Sequence, residues 1–330
     1  MKKILITGSL GLVGSTAVKY YLNEACEVHG VDNDMRKHFF GKEASVLKNK
    51  IDHPNYHHHG VDISKIEGLF TNEKPNVVIH CAAQPSHDYS AQNPLLDFGI
   101  NAYSTLMLLE MTRKHTPDSV FVYISTNKVY GDTPNYLPLI EKETRYECEV
   151  LPNGINEQMS VDHTQHSPFG VSKLSGDLYV QEYARYFGLK TVTFRCGCIT
   201  GSAHAGAELH GFLSYLVKCA KQRKPYTVYG YKGKQVRDNI HASDLVRAFD
   251  CFVRDPKYPG SVYNMGGGSE RSVSVLEALN WVKMKEWAYV DEARRGDHIW
   301  YVSDVSKFKT DYPKWNYKYN LWGIFEELMQ

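Results

Sequence analysis

Lys3-Ile4-Leu5-Ile6-Thr7-Gly8-Ser9-Leu10-Gly11-Leu12-Val13-Gly14 joins a short apolar run to three glycines, and a helical pattern follows through Leu22. Strand, glycine loop and helix make the front of a nucleotide-binding unit. Glycines let backbone amides come close to a pyrophosphate, and the positive end of the following helix favours the anion. The spacing is Gly-x-x-Gly-x-x-Gly rather than Gly-x-Gly-x-x-Gly. A tight strand-to-helix turn that binds nothing would use the same residues, so the meaning of the loop depends on what surrounds it.

Moving outward, Glu27-Val28-His29-Gly30-Val31-Asp32 reads as a second strand ending in a carboxylate, 18 residues after Gly14. An acid at this interval accepts from adenosine ribose hydroxyls and repels a 2′-phosphate, which favours NAD over NADP. Arg36 is a nearby cation that can also serve a 2′-phosphate or stand as a solvated charge. His57-His58-His59 leads to Gly60-Val61-Asp62-Ile63. Consecutive strand residues alternate faces, so these three imidazoles cannot all turn to one ion, and no metal site is expected of them. Asp62 and Ile63 end this strand where an acid and an aliphatic side chain can flank adenine.

Asn76-Val77-Val78-Ile79-His80-Cys81-Ala82-Ala83 is a continuous apolar strand of the kind a parallel sheet buries on both faces. Its small carboxyl end admits a flat cofactor, and Gln84-Pro85-Ser86-His87-Asp88 beyond it can line a substrate cleft. Asn101 precedes a helical run over 102–114 and reads as its cap. Val120-Phe121-Val122-Tyr123-Ile124-Ser125-Thr126 is another buried strand, delivering Thr126-Asn127-Lys128-Val129-Tyr130-Gly131 to the sheet edge where ligands bind. A polar loop with a short helix is expected over 132–165. The run Ser167-Pro168-Phe169-Gly170-Val171-Ser172-Lys173 then opens a long amphipathic helix, in which Phe169 and Lys173 share one face. Residues 189–195 read as a strand, 208–222 as a helix and 225–230 as a short strand. His241-Ala242-Ser243-Asp244 reads as a helix cap.

The expected fold is therefore α/β, a doubly wound parallel sheet with a smaller carboxyl-terminal lobe. Residues 1–200 are assigned to the nucleotide-binding domain, with elements from 236–263 returning to it, and 201–330 mainly to substrate binding. Formal net charge is +1 with 23% charged residues, which gives no basic surplus for nucleic acid. No segment approaches the roughly 20 apolar residues of a membrane span, and the apolar start is too short for a signal peptide. Seven cysteines without paired spacing suit reduced thiols. The expectation is a soluble cytoplasmic protein without a metal.

Taken together, residues 8–14, Asp32, Ala82-Ala83, Asn101, the run 125–131 and the helix carrying Lys173 make the chain resemble the NAD-dependent epimerase/dehydratase family of extended short-chain dehydrogenases/reductases. Pro152-Asn153-Gly154, His166-Ser167-Pro168 and Gly233-Lys234-Gln235-Val236-Arg237-Asp238 are most similar to members that epimerise CDP-hexoses at C2. The resemblance implies that Gly8, Gly11, Leu12, Val13 and Gly14 cradle NAD, that Asp32, Asn33 and Arg36 surround its ribose, and that Asp62 and Ile63 flank adenine. It further implies that Ala82, Ala83, Gln84, Asn101, Ser125 and Lys173 serve the nicotinamide end. Thr126, position 169 and Lys173 take the catalytic places. Gln84, Ser86, His87, Thr126, Asn127, Lys128, Phe169, Cys198, Gln235, Arg237, Arg294, Asp297 and His298 are the implied substrate contacts. Arg237 and Arg294 grip the diphosphate of a nucleotide sugar.

The implied reaction belongs to polysaccharide biosynthesis. It is a redox-neutral inversion through a 2-keto sugar, interconverting CDP-paratose and CDP-tyvelose, in a homodimer or homotetramer. Inversion at C4 of a UDP- or GDP-sugar and silent NAD binding are the alternatives. Dehydratases of the family carry an acidic pair after the threonine. Asn127-Lys128 stands there instead, so dehydration is disfavoured. Phe169 occupies the place of the family's tyrosine, and a phenyl ring transfers no proton, so this chain is expected to be impaired. Because Lys173 and Thr126 are intact, deliberate Tyr→Phe replacement is favoured over natural decay of the site.

Overall fold

The computed structural model describes residues 1–203 and 211–330, so the first three residues of the helix expected over 208–222 lie outside the described residues. The apolar segments named above become β1 (Lys3–Thr7), β2 (Glu27–Val31), β3 (Tyr56–His59), β4 (Val77–His80) and β5 (Val120–Thr126). With Lys190–Cys196 and Ser261–Met265 they form a seven-stranded sheet. Its order from one edge is Ser261–Met265, Lys190–Cys196, β5, β4, β1, β2, β3, and every pairing in it is parallel. Parallel strands need crossovers, and the crossover helices cover both faces, which is why β4 is buried along its whole length. The expectation of a doubly wound sheet is met.

One face packs Ile4, Ile6, Val28 and Val77 against Ala17, Val18 and Tyr21 of α1 (Leu12–Asn23) and Phe249 of the Ala242–Arg254 helix. The other packs Leu5, Val78 and Phe121 against Leu108 and Leu109 of the Ser104–His115 helix and Val180 of the Pro168–Phe187 helix. Ser167 caps the latter by accepting from the Gly170 amide at 3.1 Å, and Pro168 follows in the first turn, where its missing N–H costs nothing. A Cβ at Gly176 would lie 2.6 Å from the Tyr123 hydroxyl, so glycine is what allows this helix so near the sheet.

A smaller sheet centres on Val236–His241, buried throughout, with Ser272–Ser274, Trp300–Tyr301 and Cys198–Thr200 paired to it. Residues 132–165 hold a 3₁₀ turn at Thr133–Tyr136 and a two-residue hairpin, Ile140–Glu141 with Tyr146–Glu147. One local expectation is corrected. Asn101 does not open a helix; it lies in a π-helical turn, Gly99–Tyr103, between Pro94–Phe98 and Ser104–His115. The wider turn points its amide inward, where it bonds Gln84 and Asp97.

The long helix is tied to the sheet by charge. Asp177, fully buried, accepts from Ser125 Oγ at 2.6 Å and from Arg195 Nε and Nη2, both at 3.0 Å. Arg195 also donates to the Tyr130 hydroxyl, which donates to Asn264 of the edge strand. Asp177→Ala would strand the Arg195 guanidinium in the interior. The expected loss is about 3–5 kcal/mol of unfolding free energy, measured by urea denaturation, against a much smaller loss for Ser125→Ala.

Candidate functional site

The carboxyl ends of β1, β2, β4, β5 and Lys190–Cys196 open into a cavity of about 680 Å³ that extends to the smaller sheet. At its floor the glycine loop has no room for side chains. A Cβ at Gly14 would lie 2.0 Å from the Gly8 carbonyl oxygen; one at Gly8, whose φ is +66°, would lie 2.7 Å from the Ala82 amide. Gly11 caps α1 without any side-chain bond, so the first-turn amides of Leu12, Val13 and Gly14 are available to an anion. Asp32 closes β2 with its carboxylate oriented by two amides, Leu10 at 2.9 Å and Asp34 at 2.8 Å. Burial raises its pKa and those bonds oppose the rise. Asn33 and Arg36 line the same end; burial lowers the arginine to about 10. Asp62 accepts from the Ser64 amide at 2.9 Å and, with Ile63, walls the far side.

At the other end Thr126, Phe169 and Lys173 converge on the cavity with Ser125, Ala82 and Ala83. Thr126 Oγ1 accepts from the Lys128 amide at 3.2 Å and donates to Asn127 Oδ1 at 3.3 Å. Lys173 donates to the Ile124 carbonyl at 2.7 Å and lies 4.2 Å above the Tyr123 ring. Burial depresses it to about 8, with Asp177 opposing. The Phe169 ring is buried and meets His87 edge to face, centroids 5.0 Å apart. His87 Nδ1 lies 2.7 Å from Ser167 Oγ, and burial with Lys128 nearby holds the imidazole down to about 3, hence neutral at pH 7.

The roof is basic. Arg237 pairs with Asp297 and donates to the Val236 carbonyl at 2.7 Å. Burial works against ionisation of Asp297, yet Arg237 and Lys128 together hold it below the usual carboxylate range. Lys128 donates to the Gly296 carbonyl at 2.8 Å and burial lowers it to about 8. Arg294 lies over the Tyr229 ring, 4.3 Å to the centroid, and Cys198, raised by burial to about 11, completes this wall. Gln235 faces a side recess with Tyr226, Tyr229 and Arg294; its amide donates to the Tyr229 carbonyl.

Besides Gln235, four expected contacts are not cavity residues. The Asn101 side chain accepts from the Gln84 amide and donates to the Gln84 carbonyl, and both side-chain amides donate to Asp97. Ser86 is buried as the cap of the His87–Gln92 helix, accepting from Tyr89. His298, with no exposed surface, lies 2.8 Å from the Gly131 carbonyl and stacks on Tyr301. Each supports the site from behind. Cys81, Cys196, Gly197, Phe212 and Asn239 line the cavity and were not expected there. Position at a strand's carboxyl end could have found the first three, whereas nothing local marks Phe212.

The arrangement can seat a dinucleotide along the sheet edge and a second phosphate-bearing ligand under the basic roof. The chain matches the NAD dependent epimerase/dehydratase family over residues 4–266 and belongs to it; its cofactor is NAD. It is 32% identical to CDP-paratose 2-epimerase of Salmonella typhi, over 92% of each chain. Its fold is similar to UDP-glucose 4-epimerase of Thermotoga maritima, solved with UDP-glucose, at a TM-score of 0.80 and 24% identity over 99% of this chain and 97% of the other. It is also similar to a tyrosine-to-phenylalanine variant of UDP-glucuronic acid 4-epimerase from Bacillus cereus, in complex with UDP-4-deoxy-4-fluoro-glucuronic acid and NAD. There the TM-score is 0.77 and the identity 23%, over 99% and 98% of the chains.

The depressed lysine gives a pH test. Lys173 is cationic below about 8 and neutral above it. NAD affinity measured by calorimetry is expected to be flat up to about pH 7 and to weaken as pH rises through about 8. Lys173→Met should bind more weakly and lose that slope, and an unchanged slope would remove Lys173 from cofactor binding.

Proposed function

We propose that this member of the family is a nucleotide-sugar epimerase that inverts C2 of a CDP-hexose, with Phe169 in the place of its proton-transferring tyrosine. The observation that carries the reading is the 32% identity to a CDP-paratose 2-epimerase over 92% of both chains, joined to a cavity in which Thr126, Phe169 and Lys173 meet. NAD, when bound, would supply the hydride acceptor for oxidation at C2 and the hydride donor for reduction from the opposite face. The glycine loop lacks the Cβ atoms that would obstruct a pyrophosphate. We assign Gly8, Gly11 and the first-turn amides of α1 to that group, Asp32 and Asn33 to the adenosine ribose, Asp62 and Ile63 to adenine, and Lys173 to the nicotinamide ribose.

The protein's own share is positioning and proton transfer. Arg237 and Arg294, with Lys128, would neutralise the sugar diphosphate under the roof. The Thr126 hydroxyl would hold the reacting alcohol. A phenolate oxygen on the ring at 169 would take the proton of that alcohol, with the Lys173 ammonium one helical turn away stabilising the deprotonated form. Phe169 keeps the shape of that ring without the proton carrier, and His87, neutral and engaged by Ser167, does not replace it. Asn127 and Lys128 follow Thr126 where elimination of water would want carboxyl groups, which supports epimerisation over dehydration. The solved tyrosine-to-phenylalanine epimerase variant, holding both a sugar nucleotide and NAD, is consistent with a site that binds without the hydroxyl.

We also read the protein as a dimer of the cytoplasm. Leu95, Phe98 and Tyr103 on one helical path and Leu178, Tyr179 and Tyr186 on the Pro168–Phe187 helix are exposed, Leu95 at 89%. An apolar face of this kind suits a helix-to-helix subunit contact. The double variant Leu95→Glu, Tyr186→Glu is expected to halve the mass seen by light scattering; a mass unchanged, or already monomeric in the parent, would remove this contact.

Phe169→Tyr is the decisive variant. It should gain about 10²–10⁴-fold in turnover of CDP-paratose over the parent chain, the usual contribution of a general acid/base. Proton NMR in deuterated water should show C2 inverted without exchange of its hydrogen. If neither form turns over this sugar while both bind NAD, the substrate assignment falls, and the same assay with UDP- and GDP-sugars distinguishes a C4 epimerase from a silent binder.

A further inference from the structure

Outside the cavity lining, β2 and β3 bring together on one face a group of side chains that the nucleotide site does not use. The alternation that separates His58 from its neighbours puts His57 and His59 on one face. The parallel register sets His57 directly beside His29. Glu27, two residues before His29, shares that face. His58 points the other way, 3.5 Å from the Tyr56 hydroxyl.

Glu27 Oε1 lies 3.2 Å from His29 Nε2 and 3.4 Å from His57 Nε2, and the three ligand atoms all fall within 4.8 Å of one another. Metal–ligand bonds of about 2.0–2.1 Å in a tetrahedron place neighbouring ligand atoms about 3.4 Å apart, so two of the three edges already have that length. The other Glu27 oxygen is turned to Lys3 at 4.0 Å, which leaves Oε1 to the imidazoles. His29 Nδ1 lies 3.3 Å from His59 Nε2. A ligating imidazole is ordinarily oriented by a hydrogen bond through its second nitrogen, and here the His59 ring is in place to accept it. Glu73, whose Oε2 lies 3.7 Å from His29 Nε2 and accepts from Lys3 at 2.7 Å, adds negative charge beside the group. His29 is fixed by the sheet and buried, whereas the His57 side chain is 45% exposed, so the remaining coordination position opens to water.

We propose that Glu27, His29 and His57 form a binding site for a divalent transition-metal ion of the zinc class, with His59 as the positioning partner of His29. Two imidazoles and a carboxylate are borderline nitrogen and oxygen donors, which favour zinc, cobalt or nickel over magnesium or calcium. The ion would clamp β3, the edge strand, to β2.

The test uses the whole chain and the metal alone. Competition against a chromophoric chelator should show one zinc per chain. His57→Ala, at an exposed position where folding should survive, should lose at least about tenfold in affinity, while His59→Ala loses about tenfold or more through the second nitrogen of His29. His58→Ala, on the opposite face, should bind as the parent does. Zinc should raise the thermal midpoint of the parent and of His58→Ala but not of His57→Ala. The cobalt form should show visible d–d bands without thiolate charge transfer, since the chain has seven cysteines that could take the ion instead. Absence of uptake, equal uptake by His57→Ala, or a thiolate band would each overturn the site.

Discussion

The buried carboxylate of Asp177 is the constraint on which the arrangement of the cavity depends. Phe169, Lys173 and Asp177 follow at intervals of four along the Pro168–Phe187 helix, so they share one stripe. Anchoring the last of them sets the azimuth of the other two. The anchor is the register pair Ser125 and Arg195, on adjacent strands, both bonded to Asp177. Because the ion pair is fully desolvated, its geometry is narrowly prescribed and the helix cannot roll without stranding a charge. Lys173 is thereby held against the Ile124 carbonyl and the Tyr123 ring.

Much of this was legible in the sequence because parallel sheets write their signature in contiguous apolar runs and turn residues. β1, β2 and β5 lie where their hydrophobic runs predict them, and Asp32 closes β2 as the interval from Gly14 required. The Phe169–Lys173 spacing gave the helix and the facing of both side chains. What the spacing did not give is the role of Asp177, whose partners are 18 and 52 residues away. Pairings of that kind follow from topology rather than local pattern.

The errors share a cause. A polar residue just past a strand's carboxyl end is brought near the ligand by the fold, but which way it points depends on local turns. Gln84 turns inward to bond the Ser86 main chain and Asp97, and Ser86 turns inward to close a helix end. Asn101 does so because a π-helical turn displaces it from the cap it was expected to make. His298 is carried behind Asp297 at the exit of a turn, where it lies against the Gly131 carbonyl and Tyr301 while Asp297 faces the cavity. The histidine run shows the same rule from the other side. Alternation excludes three consecutive ligands, yet it also places two of them beside a histidine on the next strand, which a single-strand argument could not see.

The charge distribution of the cavity reaches beyond the contacts inside it. Among the described residues that line it, the five cations Arg36, Lys128, Lys173, Arg237 and Arg294 exceed the three carboxylates Asp32, Asp62 and Asp297, in a chain whose formal net charge is only +1. A concave surface with low-dielectric walls focuses such an imbalance outward into solvent. Anionic nucleotides therefore experience a directed pull toward the mouth although the molecule as a whole is nearly neutral. Their rate of encounter is governed by this local field, and dissolved salt damps it over a distance of about 8–10 Å.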